Sequence, residues 1–168
     1  MNAEAQRISP APIRRSLRVK AGRQKAFDTF TGGISGWWLK SHSLLDVPQT
    51  DVVIEPRVGG RWYEIGADGS ERDWGKVLEW EAPGRILLAW QLNAEWAYDP
   101  DFETTVEVNF TADGDHVIVD FEHRDLDRFG ANAEAVRGDY DTGMDGGWRE
   151  LLAGYQRVAE GLTATLSH

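Results

Sequence analysis

A chain of 168 residues is long enough for one domain with a buried core. Its net charge of -10 and pI of about 4.8 argue against nucleic acid as a partner, since an acidic surface repels phosphate backbones. The absence of cysteine excludes disulfides, thiolate metal sites and a cysteine nucleophile, and fits a reducing, cytoplasmic compartment.

The N-terminal MNAEAQRISPAP has neither the apolar run of a signal peptide nor a helix-compatible pattern, so residues 1–12 read as a disordered leader. No stretch reaches a membrane-spanning length, and no membrane insertion is expected. IRRSLRVKA then alternates Ile13, Leu17 and Val19 against basic residues, a half-buried strand that misses one beat at Arg15. Arg14, Arg15 and Arg18 belong to a basic N-terminal stretch that reads as a charged edge strand or as a docking patch. GRQKAFDTFTGGISGWWLK spaces Ala26, Phe27 and Phe30 as a helix, and Gly32-Gly33 predicts a kink before a further turn at Trp37-Trp38.

Six strand-like runs follow between residues 51 and 123, separated by turns at Val58-Gly59-Gly60, Asp68-Gly69, Pro83-Gly84 and Asp113-Gly114. In EPRVGGRWYE both glycines are expected at positive φ, and Glu55 and Arg57, on one face, read as a surface pair with each other or with Arg61. Trp62 and Glu64 share one face of the next strand. Alternation in WGKVLEWE puts Trp74, Lys76, Leu78 and Trp80 on one side, with Gly75 hinting at a bulge or a close backbone approach. Phe102, Thr104, Val106, Val108 and Phe110 share a face, as do Val117, Val119, Phe121 and His123. A polar segment, LDRFGANAEAVRGDYD, holds a short helix at most. A long amphipathic helix closes the chain, with Trp148, Leu151, Leu152, Tyr155, Val158, Ala159 and Leu162 in one stripe and Asp141 or Thr142 as its cap. Residues 13–162 thus form a single domain, followed by a tail, 163–168.

These motifs resemble the START-like, or SRPBCC, helix-grip superfamily, and within it the homologues of the activator of the ninety-kilodalton heat-shock protein ATPase. The resemblance rests on FDTFTGGISGWW, VVIEPRVGGRWYE, DGSERDWGKVLEWEAPGRILLAW, VEVNF with VDFEHRDLDRFG, and GGWRELLAGYQRVAE, and spans Ile13 to Glu160. It implies an α+β fold in which a curved seven-stranded antiparallel sheet wraps around the C-terminal helix, with an apolar pocket between them. It implies no catalytic set transferable residue by residue.

Eight tryptophans in such a fold must partly line a core or a cavity. The expected ligand wall is Trp62, Trp74, Trp90, Phe110, Phe121, His123, Met144, Trp148, Leu152 and Tyr155, facing a small hydrophobic or aromatic molecule. Gly143, Gly146 and Gly147, each weakening a helix by roughly 1 kcal/mol, allow either close packing or a widened pocket mouth. Two rival functions stand beside ligand binding. One is a protein-interaction module that docks a chaperone or another protein through the basic stretch or Trp37-Trp38. The other is a cyclase or hydratase using His123 with a carboxylate such as Glu64 as acid and base. A lone histidine on an apolar face is, against that, usually a satisfied core residue. His42, His116, His123 and His168 have no metal-ligand spacing, and no phosphate-binding or nucleophile-elbow motif occurs, so no metal or cofactor is expected. Monomer and homodimer are both open.

Overall fold

The computed structural model describes residues 10–161; most of the expected leader, Leu162 of the helical stripe and the tail 163–168 lie outside the described residues. Seven strands run as β1 (Ile13–Val19), β2 (Gln49–Ile54), β3 (Arg61–Gly66), β4 (Glu71–Glu81), β5 (Arg85–Trp90), β6 (Thr104–Asp113) and β7 (His116–Arg124). The helices are α1 (Arg23–Phe30), α2 (Ala133–Arg137) and α3 (Gly143–Ala159). All strand pairs are antiparallel, in the order β1-β7-β6-β5-β4-β3-β2, so β7 returns to pair with the first strand and a meander fills the rest. The sheet curls around α3, which is the helix-grip arrangement. Among the described residues no helix is long and apolar enough to cross a membrane.

Strand alternation decides which side chains face α3. In β6 and β7, Val106, Val108, Phe110, Val117, Val119, Phe121 and His123 are all buried on the inner face. On the outer face of β5, β6, β7 and β1 an ion-pair ladder replaces them. Arg85 and Arg124 both bond Glu107, at 2.7 and 2.6 Å, and Arg124 and Arg14 both bond Glu122, at 2.9 and 2.7 Å. The hydrogen bond from Arg85, with Arg124 beside it, holds the Glu107 carboxyl down at about 2. The missed beat at Arg15 has a cause: this side chain turns inward and pairs with Asp145 in the first turn of α3.

Four local expectations are corrected. Only Gly59 of the glycine pair has positive φ, +82°; Gly60 is glycine because a Cβ there would lie 2.8 Å from Glu55. Simple alternation fails in β4, because register shifts at Trp74 against β3 and at Leu78 against β5 insert extra residues. Trp74, Gly75 and Val77 are therefore buried while Lys76 is exposed. Thr142 occupies the cap position of α3, but its hydroxyl bonds Asp139 rather than the helix N–H groups. Val158 sits at the edge of the helical stripe and is exposed.

α1 lies over one half of the inner face. Phe27 meets Trp80 and Phe110 edge-on at 5.1 and 5.2 Å, and Phe30 meets Tyr155 at 5.1 Å. The Tyr155 hydroxyl donates to the Ala26 carbonyl at 2.8 Å, and burial pushes that phenol up. This half of the interior is filled.

Candidate functional site: an indole-walled cavity

The other half of the inner face is hollow. A cavity of about 330 Å3 lies between β4, β5 and the first turns of α3, within the size range of small-molecule sites. Strands β4 and β5 supply Trp74 and Trp90, while α3 supplies Gly143, Met144, Gly147, Trp148 and Leu151. α2 closes one side with Ala135 and Val136, and two loops complete the wall, with Trp38 and His42 from one and Ala94 and Trp96 from the other.

The bulge at Trp74 is what turns that indole inward beside Gly75. A Cβ on Gly75 would lie 1.7 Å from the Ala89 carbonyl oxygen, so only glycine lets β5 approach here. The rings then meet edge-on or tilted: Trp38 to Trp74 at 5.2 Å, Trp74 to Trp90 at 5.4 Å and Trp90 to Trp148 at 5.6 Å. Trp96 contacts Trp74 and Trp90 from a backbone position with φ +63°, unusual for a bulky residue and costing about 1–2 kcal/mol. Asn93 holds that turn, its side chain accepting from the Glu95 and Ala97 N–H groups at 3.0 and 3.1 Å.

Three indole N–H groups at the wall are committed. Trp74 donates to Glu64 at 2.7 Å, Trp148 to His123 Nδ1 at 3.1 Å and Trp38 to the His42 carbonyl at 3.2 Å. The buried N–H groups of Trp62 and Trp90 have no partner among the described residues. Glu64 is fully buried and also accepts from Ser43, the Leu44 N–H and Gln49, at 2.5, 2.8 and 3.0 Å. Those bonds tie the loop carrying His42 to the sheet.

Of the residues expected in the wall, Trp74, Trp90, Met144 and Trp148 line the cavity. Trp62, Phe110, Phe121, Leu152 and Tyr155 are buried in the packed core instead. His123 lies behind Trp90 and Trp148 with no exposed surface. Its Nε2 is 2.8 Å from Thr104 Oγ1, whose own proton goes to the Trp90 carbonyl, so the imidazole is neutral and protonated at Nε2. Burial lowers its pKa to about 3. With both ring nitrogens engaged and Glu64 committed to four donors, the expected acid–base pair is not assembled.

Trp38, His42, Ala94, Trp96, Ala135, Val136 and Leu151 were not anticipated in the wall. Most come from loops and short helices, where no periodicity marks an inward direction. One usable signal was present: the helix-interior glycines. Gly146 accommodates the Asp141 backbone, at 2.6 Å from its would-be Cβ, whereas Gly147 accommodates the His42 ring. Both glycines therefore serve close packing, Gly146 against a backbone and Gly147 against a ring at the cavity wall. Trp37 and Trp38, offered as a docking pair, are only 4% and 5% exposed. Arg14 and Arg18 of the basic stretch are paired with Glu122 and Asp113.

Among solved structures, the fold is shared with Txn09, an anthrahydroquino-gamma-pyrone synthase, at 31% identity and a TM-score of 0.61, covering 89% of this chain and 97% of that one. It is shared with CalC of Micromonospora echinospora, a self-sacrificing resistance protein, at 34% identity and a TM-score of 0.63, over 91% and 96% of the two chains. The Aha1 dimer of Colwellia psychrerythraea matches in fold at 15% identity and a TM-score of 0.60, over 90% and 97%. No curated protein matches the chain. The family model of the activator of Hsp90 ATPase homolog 1-like proteins matches residues 20–160, and the chain belongs to that family.

Proposed function

We propose that this protein binds a small, flat, apolar or aromatic molecule in the cavity between sheet and α3. The observation that carries the proposal is the wall itself: five indoles around about 330 Å3 of space, in a molecule whose other half packs similar rings solid. The rings touch along the wall, yet α2, two loops and a glycine-rich helix start stand off in front of them and leave the space unfilled. The name of one relative, a synthase of an anthrahydroquino-gamma-pyrone, denotes a fused aromatic system of the kind such a wall would hold. Docking of a chaperone is less well supported, because the tryptophan pair is buried and the basic strand is ion-paired.

Native mass spectrometry of freshly purified protein, compared with its denatured mass, tests the reading. An adduct lost on denaturation and absent from Trp90→Ala and Trp148→Ala supports it. Well-folded variants that bind as the parent does would sink it.

A further inference from the structure

His42 is the titratable side chain of the cavity wall, and its surroundings point to a purpose. Its main chain is fixed at both ends: the N–H donates to the Leu39 carbonyl at 2.9 Å and the carbonyl accepts from Trp38 Nε1 at 3.2 Å. One ring nitrogen, Nδ1, is 3.3 Å from Ser41 Oγ, while Nε2 has no hydrogen-bond partner among the described residues. That free nitrogen lies against α3. A Cβ added to Gly147 would be 3.2 Å from it, tighter than ordinary van der Waals contact. Glycine in the interior of a helix is unfavourable, and here its missing Cβ leaves room for the edge of an imidazole to pack close against the helix.

From this geometry we infer that His42 is the polar anchor of the cavity, and that the ligand carries a hydroxyl on the edge of its aromatic system which hydrogen-bonds Nε2. The inference rests on the cavity reading proposed above and adds the polar half of the recognition. Small-molecule sites combine apolar walls with a few placed polar groups. The Trp38, Trp74 and Trp148 N–H groups and the Glu64 carboxylate are already committed, and the unpartnered Trp90 N–H can only donate, so His42 Nε2 is the wall nitrogen that can also accept. A hydroxyl both donates and accepts, so it fits Nε2 in either tautomer, whereas a carbonyl fits only one. Burial lowers the His42 pKa, opposed by the charge of Glu150, so the imidazole favours its neutral form.

The probes are 2-naphthol and naphthalene, one ring system with and without the hydroxyl. Binding is followed through the indole N–H resonances of the full chain. The ratio of the two affinities is compared between the parent, His42→Phe, His42→Gln and Gly147→Ala. Removing one hydrogen bond should lower the naphthol-to-naphthalene ratio roughly tenfold in His42→Phe, and Gln, which keeps a donor and an acceptor, should restore part of it. Gly147→Ala should lower the ratio too by displacing the ring, while its thermal stability holds or rises because alanine favours the helix. A ratio unchanged in both His42→Phe and Gly147→Ala overturns the anchor and leaves the cavity reading standing. If neither probe moves the resonances of Trp38, Trp74, Trp90 and Trp148, the cavity reading falls and the anchor with it.

Discussion

The two halves of the inner face use the same materials to different ends. Under α1, Phe27, Phe30, Trp37, Phe110 and Tyr155 lock edge-to-face or tilted, and the buried hydroxyl and indole N–H groups find carbonyl partners. Under the start of α3, Trp38, Trp74, Trp90, Trp96 and Trp148 touch at similar spacings yet surround empty space. Among the described residues, one buried indole N–H there, that of Trp90, has no partner, one backbone position is left-handed and His42 Nε2 makes no hydrogen bond. Sheet and helix are common to both halves. What differs is the covering element: a helix that fills, against loops and glycines that stand off.

That contrast is breakable by experiment. Phe30→Ala in the solid half should cost about 3–5 kcal/mol in urea unfolding, since the cavity it leaves is surrounded by rigid rings. A loss comparable to an exposed substitution would mean that this half is not packed as described.

Acidification should report the histidine that separates the halves. The folded-state pKa of His123, about 3, lies below the ordinary 6.5, so the unfolded chain takes up the proton first. Stability is therefore full above pH 6.5 and declines as pH falls towards 3, by about 1.4 kcal/mol per unit for one such group. His42, also lowered, adds in the same direction. Glu107 contributes only below its unfolded value of 4.5. Over the window from pH 6.5 to 4.5, His123→Gln should flatten the profile; an unchanged slope would place the effect elsewhere.

Trp148→Phe keeps a ring against Phe121 but leaves His123 Nδ1 without its donor, an expected loss of about 1–3 kcal/mol by chemical denaturation. Trp96→Ala should cost less than about 1 kcal/mol, because the ring is 40% exposed, and Trp96→Gly less still, since only glycine lacks the Cβ strained at φ +63°. Should it cost as much as Phe30→Ala, the hollow half is load-sharing core and the comparison dissolves. Smallest of all, Arg14→Ala should stay within about 0.5 kcal/mol, as an exposed ion pair contributes little.

The fold was legible because its signals are local and repeated. Val117, Val119, Phe121 and His123 alternate without interruption, and Trp148, Leu151, Leu152 and Tyr155 keep helical spacing, so faces follow from counting. Counting fails at Trp74, where a bulge resets the phase, and this is the strand that builds the cavity. His123 was rightly placed on an inner face, but the sequence does not reveal that Trp148 and Thr104 would occupy both its nitrogens. His42 and Trp96 come from connections whose direction is set by long-range bonds to Glu64 in one case and by local bonds to Asn93 in the other, not by any period. The glycine at 147 was visible; its partner, 105 residues earlier, was not.

The chain of neighbouring indoles has an optical consequence. Rings separated by 5.2–5.7 Å pass excitation among themselves far faster than they emit, so light absorbed by one ring is read out by whichever neighbour has the lowest excited state. Trp38, Trp74, Trp90, Trp96 and Trp148 thus behave as a single antenna wrapped around the cavity. A guest that quenches or re-tunes one ring would dim or shift the output of the whole set. The wall is its own occupancy gauge.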